Sequence, residues 1–467
     1  MKILRVMFVV MVVLSFPAPS VFADDFAELK AMIQQMKKDH EAQIIKLEAK
    51  HESQVKMLEA KIDQLDLNQN RQVEEKVAKM REDIKQEIKD ESWSSEYVGR
   101  DHQNDIGKGG FEVESPSGVA KVTFGGYMDH EFENFENTKS TFDQHHWNII
   151  IGAQLGERLR FFGEYEIEHG GPDASGSGSA KVEASYADFL IEDWINFRGG
   201  AILVPFGRFN QLHDSDLQDL TSRPIVDRDI IPTSWTESGA GLFGEFDPVI
   251  GNYEDLLINY EVYAVNGLDD GFSDTGMGGA RGSLGTDNNN SKAVVGRLVL
   301  SPAIGHELGL SGYYGKYNTF GDAMTGRGID LLTTWGPLEF IGEYAHFNVN
   351  EPDFAETGIT DIADEFQGYR LQANYHFWPE FLNDTFLGRK FENPTFTLVN
   401  RYDWAEIDDD SDTGTGNNEE TSYVLGLNYR PVESWVMKLE HQWNDTENEA
   451  LERGNNNGWF WSIAMGF

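Results

Sequence analysis

The last nine residues, Trp459-Phe460-Trp461-Ser462-Ile463-Ala464-Met465-Gly466-Phe467, alternate two kinds of side chain. Trp459, Trp461, Ile463, Met465 and Phe467 form one set, and Phe460, Ser462, Ala464 and Gly466 the other. Successive side chains of a strand point to opposite faces, so one face here is bulky and apolar and the other is mostly small. A period-two segment ending the chain on an aromatic residue is the export signature of outer-membrane barrels. Their strands turn apolar side chains to lipid and polar or small ones to the lumen.

The same period recurs upstream. Leu159, Phe161, Gly163, Tyr165 and Ile167 alternate with Arg160, Phe162, Glu164, Glu166 and Glu168, and Tyr369, Leu371, Ala373, Tyr375 and Phe377 with Arg370, Gln372, Asn374 and His376. About 16 such segments lie between residues 119 and 467, each long enough for a tilted strand to cross an outer membrane. Short turns alternate with longer polar loops such as Gly170–Gly178, Asp269–Asn290 and Asp408–Glu420. Trp378, Trp404, Trp435 and Trp443 stand near strand ends, where interfacial girdles belong. A propeller would repeat at a fixed period of roughly 40–50 residues, and none is visible. The reading is an all-β transmembrane barrel of about 16 antiparallel strands, preceded by an N-terminal α-helical coiled coil.

Composition agrees. The 467 residues include 47 glycines, 30 phenylalanines and no cysteine, which excludes disulfides, thiolate metal sites and c-type haem attachment. A formal net charge of −41 and a pI near 4.5 argue against nucleic acid as a partner. Mean hydropathy is −0.47, as suits strands that are apolar only at alternate positions.

Lys2 and Arg5 precede the apolar run Val6–Leu14, and Val21-Phe22-Ala23 offers a signal-peptidase site, so residues 1–23 read as a signal peptide. Residues 24–92 read as a periplasmic coiled coil. They lack glycine and proline up to Asp90, and Leu29, Ile33, Met36, Ile44, Leu47, Leu58, Ile62 and Leu65, then Val73, Val77, Met80, Ile84 and Ile88, form a seam at three- and four-residue steps. Residues 93–117 read as a linker and 118–467 as the barrel. Residues 24–92 carry 13 basic and 17 acidic side chains, so most of the negative charge belongs to the barrel.

No catalytic motif is evident, and neither an enzymatic activity nor a cofactor is expected. His145-His146 is the only adjacent histidine pair, and neighbours on a strand face opposite sides, so no metal site is expected there. Asp269-Asp270 and Asp408-Asp409-Asp410 read as solvated loop tips. By strand parity Arg160, Arg297, Arg370 and Arg401 point into the lumen, with Arg198 a weaker candidate, and Glu164, Glu166 and Asp403 share those faces. Such charges either set a transverse field that selects solutes or pair across strands and fill the wall. Residues 205–235, with Arg208, Arg223 and Arg228, are too long a loop to be idle and are expected to fold inward and narrow the lumen.

Around this loop, Gly200-Ala201-Ile202-Leu203-Val204-Pro205-Phe206-Gly207, then Arg223-Pro224, Ile230-Ile231-Pro232 and Glu237-Ser238-Gly239-Ala240-Gly241, resemble the phosphate-selective porin O and P family. The coiled coil is similar to that of related trimeric dicarboxylate porins. The resemblance covers about 118–467. It implies a 16-stranded homotrimer in the outer membrane that guides anions by an arginine ladder and a lysine cluster. Arginines are available at Arg208, Arg223, Arg228, Arg297, Arg370 and Arg401, whereas the eight lysines of residues 93–467 are scattered singly. The expected function is passive diffusion of small hydrophilic solutes, with anions such as phosphate or dicarboxylates among them. Expected partners are outer-membrane lipid, further copies of the chain and, through the coiled coil, peptidoglycan. The alternative is a tether, in which the barrel anchors a periplasmic stalk to the cell wall.

Overall fold

The structure is a computed structural model that describes residues 23–62, 78–83, 94–100, 109–172, 178–249, 256–350, 363–408, 418–446 and 456–467. The signal-peptide reading falls on residues outside this set, as do much of the later seam and most of the 170–178 and 408–420 loops. The chain forms two units, Met1–Asp90 and Glu91–Phe467.

In the first unit a helix, α1, runs over Ala23–Ile62 (40 residues), and residues 78–83 are helical as well. Good helix formers and i,i+4 ion pairs between Glu52 and Lys56 and between Lys37 and Glu41 support it. Ile44, Ile45 and Met57 are exposed on its surface. The helix is thus observed; the pairing that would make it a coiled coil is not.

The second unit opens with β1 (Ser94–Arg100) and β2 (Gly109–Glu114), an antiparallel hairpin within the stretch read as a linker. Sixteen strands follow among the described residues. They are β3 (Ala120–Phe135), β4 (Thr141–Leu155), β5 (Leu159–Glu168), β6 (Ser179–Glu192), β7 (Ile195–Leu203), β8 (Thr236–Phe246), β9 (Leu257–Val265) and β10 (Ala293–Ala303), then β11 (His306–Lys316), β12 (Ala323–Trp335), β13 (Leu338–Val349), β14 (Glu365–Phe377), β15 (Thr395–Asp408), β16 (Asn418–Val432), β17 (Trp435–Thr446) and β18 (Gly458–Gly466). Their number matches the expected count, and all sixteen lie within residues 119–467. Each pairs antiparallel with the next, and β18 pairs with β3 from Gly458↔Phe135 to Gly466↔Tyr127, which closes the barrel. Closure leaves no long unpaired edge. β2 takes the rest of the same edge of β3 (Phe111↔Phe124 to Glu114↔Lys121). Between them Phe467 exchanges two backbone hydrogen bonds with Gly126, at 2.9 and 3.2 Å.

Polarity is inverted relative to a soluble protein. Phe161, Leu242, Val262, Leu310, Leu331, Leu371, Leu398, Leu425 and Leu439 are exposed on the outside, whereas Asp188, Arg198, Asp330, Glu343, Asp403 and Glu440 are buried inside. Aromatic rings gather toward the strand ends: Trp378, Phe396 and Tyr429 at the short-turn end, and Tyr423 with Trp443 toward the long-loop end. This is an outer belt made for lipid. Leu371, 58% exposed at the middle of β14, makes the point testable. Leu371→Arg is expected to destabilise the barrel in lipid vesicles by about 2–4 kcal/mol, read from urea unfolding; on a water-facing surface it would change stability by less than about 0.5 kcal/mol.

Candidate functional site

Between β7 and β8 the chain does not loop out into water. Val204, Phe206, Val226, Ile230, Ile231 and Trp235 are fully buried, and a segment with this much apolar surface gains from leaving solvent. It packs against Tyr263, Val295, Tyr313, Met324, Phe347 and Phe366, which β9 to β14 present on their inner faces. Phe206 lies 4.9 Å from Phe347 and Trp235 5.3 Å from Tyr313, ring centre to ring centre. Leu268, Phe272 and Met277, from the chain between β9 and β10, complete this inner core. Strict alternation predicts a polar, wet interior throughout, so this apolar part is a departure. Its signal was present as apolar residues at inward parity, such as Val295, Phe347 and Phe366.

Local chemistry shapes the segment. Gly207 has φ of 76°, and a Cβ there would lie 2.2 Å from Glu343 Oε1. Glycine alone permits this turn into the short helix Arg208–Gln211. Asn210, fully buried, donates to the carbonyls of Val204 (2.8 Å) and Trp235 (3.3 Å) and accepts from the Trp235 N–H (2.8 Å). It staples the two roots of the segment together. Asn210→Ala would remove three contacts and leave the buried Trp235 N–H without its partner, and the expected result is a loss of about 1–3 kcal/mol with new protease cleavage inside 204–235.

From this root the segment crosses to the opposite wall. His213 Nε2 meets Glu183 of β6 at 2.7 Å, and Ser215 Oγ lies 3.3 Å from His146 Nδ1 of β4. Asp219 accepts from Asn374 of β14 (2.7 Å) and Asn428 of β16 (3.1 Å). The N–H groups of Thr221 and Ser222 donate to Glu440 of β17 at 2.6 and 3.0 Å, and Thr221 Oγ1 pairs with Ser462 of β18 at 2.7 Å. Lys438 Nζ donates to the carbonyls of Ser215 (2.7 Å) and Leu220 (3.2 Å). Burial opposes charge on His213, but the carboxylates of Glu183 and then Asp214 outweigh it and hold its pKa up to about 10. A raised pKa stabilises the protonated form, so this attachment is complete below about pH 6.5 and is lost as pH rises toward 10. Proteolysis of the segment is accordingly expected to quicken between those values in wild type and to be pH-insensitive there in His213→Asn.

The seven arginines singled out in the sequence fall into two groups. Arg370 and Arg401 are buried, the first ion-paired to Glu343 (2.9 Å), the second to Asp403 (2.8 Å) and donating to the Ser222 carbonyl (2.7 Å). They anchor the wall and the segment and meet little water. Arg160, Arg208, Arg223, Arg228 and Arg297 are half-buried. Arg160 pairs with Asp188 (3.0 Å), Arg208 with Glu307, Arg228 with Asp229 and Glu420 (2.6 and 2.7 Å), and Arg297 with Asp330 (2.6 Å). Arg223 donates to the Thr233 carbonyl. Arg198 also faces inward, onto Asp188 at 2.8 Å. Glu164, Glu166 and Asp403 face inward as expected. Six of the seven arginines thus carry a carboxylate partner. Lys438, Glu440 and Asn428, which the same parity that named Arg401 places inward, also hold the segment, as does Asn374 from the polar set of its strand.

One parity argument fails. His145 and His146 do not face opposite sides: their ring centres are 4.0 Å apart and both nitrogens approach Asp129. The register shifts between Asp129 and Glu131, where β4 holds one residue more than β3. A bulge of this kind turns two successive side chains to one face.

No family model matches the chain. A stretch of 153 residues is 36% identical to an uncharacterized protein of Aquifex aeolicus, a match that spans 32% of this chain and 32% of that one. Among solved structures, Salmonella typhi OmpF in complex with daunomycin superposes with a TM-score of 0.51 at 13% identity, over 75% of this chain and 98% of the other. The anion-selective porin from Comamonas acidovorans gives a TM-score of 0.47 at 13% identity, over 74% and 100% of the two chains. The fold is that of the sixteen-stranded outer-membrane porins.

Proposed function

We propose that the protein is an outer-membrane porin for passive diffusion of small hydrophilic solutes, in which residues 204–235 set the aperture. The observation that carries this reading is a closed sixteen-strand barrel, apolar outside, whose interior is crossed by a segment pinned to strands on opposite walls. Sixteen strands enclose a lumen wide enough for water unless something fills it.

Selectivity follows from charge balance. The anion ladder implied by the family resemblance needs arginines free to meet phosphate or a dicarboxylate. Here six of the seven already face carboxylates, and Arg370 and Arg401 lie beneath the segment. With the barrel carrying most of a −41 charge, carboxylates outnumber free cations, and the pore is proposed to prefer cations weakly over anions. Arg223, which donates to a backbone carbonyl, is the arginine best placed to touch a passing anion. The α1 seam supports self-association, proposed as a homotrimer with the helices in the periplasm within reach of peptidoglycan. Deleting residues 24–92 tests this together with the tether alternative. Lost trimers with an intact envelope support the porin reading; envelope detachment with unchanged conductance supports the tether. Proteoliposomes should swell in small sugars at a rate that falls with sugar size, and liposomes that stay impermeable would refute diffusion.

A further inference from the structure

The bulge that places His145 and His146 on one side also assembles a set of metal-ligand atoms. One atom each from Asp129, His145 and His146 lies within 4.8 Å of the others. Asp129 is 1% exposed. Its Oδ1 accepts the His146 backbone N–H at 2.7 Å and faces His146 Nδ1 at 3.0 Å. Its Oδ2 has no hydrogen-bond partner among the described residues and lies 3.6 Å from His145 Nδ1. That nitrogen is itself buried without a well-aligned hydrogen bond, 2.9 Å from Glu131 Oε1.

Buried polar atoms are ordinarily satisfied, and here Asp129 Oδ2 has only a 3.6 Å approach to His145 Nδ1, a nitrogen already held by the Glu131 carboxylate. A cation there would satisfy the Asp129 oxygen. Tetrahedral bonds of about 2.0–2.2 Å from a zinc ion to nitrogen and oxygen separate the ligand atoms by roughly 3.3 Å. The separations of 3.0 and 3.6 Å from Asp129 to the two histidines bracket that figure. We propose that Asp129, His145 and His146 bind a divalent transition-metal ion of the zinc class. Two imidazoles with carboxylate suit zinc, nickel or copper over calcium or magnesium, which prefer oxygen throughout. The bulge and the backbone bond to Asp129 Oδ1 hold the ligands in place before the ion arrives.

The neighbouring groups do not compete equally. Glu166 is already ion-paired to Lys181 at 2.8 Å and Glu183 to His213 at 2.7 Å, so the two adjoining carboxylate–histidine clusters are neutralised from within. Lys438 directs its charge to the carbonyls of Ser215 and Leu220. Because Ser215 Oγ lies 3.3 Å from His146 Nδ1, an ion on that nitrogen displaces the contact and loosens the segment on this side. This last consequence rests on the aperture role proposed above; the binding itself does not.

The test is equilibrium dialysis of the full-length, detergent-folded protein against zinc chloride, with bound metal quantified and cobalt(II) absorption reporting ligand geometry. About one ion per chain is expected, with affinity lowered at least about tenfold in His145→Ala and in Asp129→Asn, which keeps the side-chain size. Heat-modifiable electrophoretic mobility shows that each variant is folded, and His145→Gln replaces the alanine variant if that one is not. Absence of stoichiometric zinc, or equal binding by wild type and folded variants, would overturn the site. His145-dependent binding that leaves conductance unchanged supports the site and overturns its coupling to the segment, whatever the outcome for the pore.

Discussion

Replacing Leu212–Ser222 by a short glycine–serine linker is expected to raise single-channel conductance severalfold while the barrel stays folded. These residues carry the contacts to β4, β6, β16, β17 and β18 through His213, Ser215, Asp219, Thr221 and Ser222. They contribute little to the inner core, which is held by Phe206, Val226, Ile230, Ile231 and Trp235 at the roots of the segment. Barrel closure depends on the strand ladder and is independent of them. Removing the excised stretch therefore unblocks the lumen without opening an edge. Planar-bilayer recording reads the result directly, and unchanged conductance would mean that ions pass by a route the segment does not touch.

The second large effect concerns Arg401. Its guanidinium holds Asp403, which is fully buried, and donates to the carbonyl and hydroxyl of Ser222 at 2.7 and 2.9 Å. Arg401→Met strands a carboxylate inside the wall. Breaking one half of a buried pair in this way costs about 3–5 kcal/mol. Removing both charges costs far less, so Arg401→Met with Asp403→Leu is expected to recover most of that stability while the Ser222 contact stays lost. Urea unfolding from lipid vesicles reads the stability term, and conductance noise reads the segment. If single and double variants were equally stable, Asp403 would be solvated in the folded barrel and the buried-pair account would be wrong.

Much of this architecture was legible because a transmembrane strand obeys one rule, period two, over its whole length. All sixteen barrel strands and the inward direction of Arg160, Arg297, Arg370 and Arg401 follow from parity. Parity failed where a bulge inserts a residue, at His145 and His146, since the extra residue is a feature of pairing between strands and leaves no mark on either strand alone. It was silent on the hairpin β1–β2, whose short glycine-bearing strands carry too few alternations to register. It also missed the apolar inner core, because residues such as Phe347 and Phe366 are inward by parity yet find a hydrophobic partner only once 204–235 has folded back. The inward fold of that loop was foreseeable from its length and its apolar content. Which arginine meets which acid was only partly legible: Arg401 and Asp403 share a strand, whereas Arg228 and Glu420 lie far apart in sequence.

A conducting pore whose arginines are engaged by neighbouring carboxylates has a direct electrical signature. The most direct measurement is the reversal potential of the purified protein in a planar bilayer under a potassium chloride gradient, repeated with phosphate added. A modest preference for potassium, with no block by phosphate, is expected. A clear preference for chloride, with phosphate block relieved by Arg223→Ala, would contradict it and restore the arginines to the role of an anion ladder.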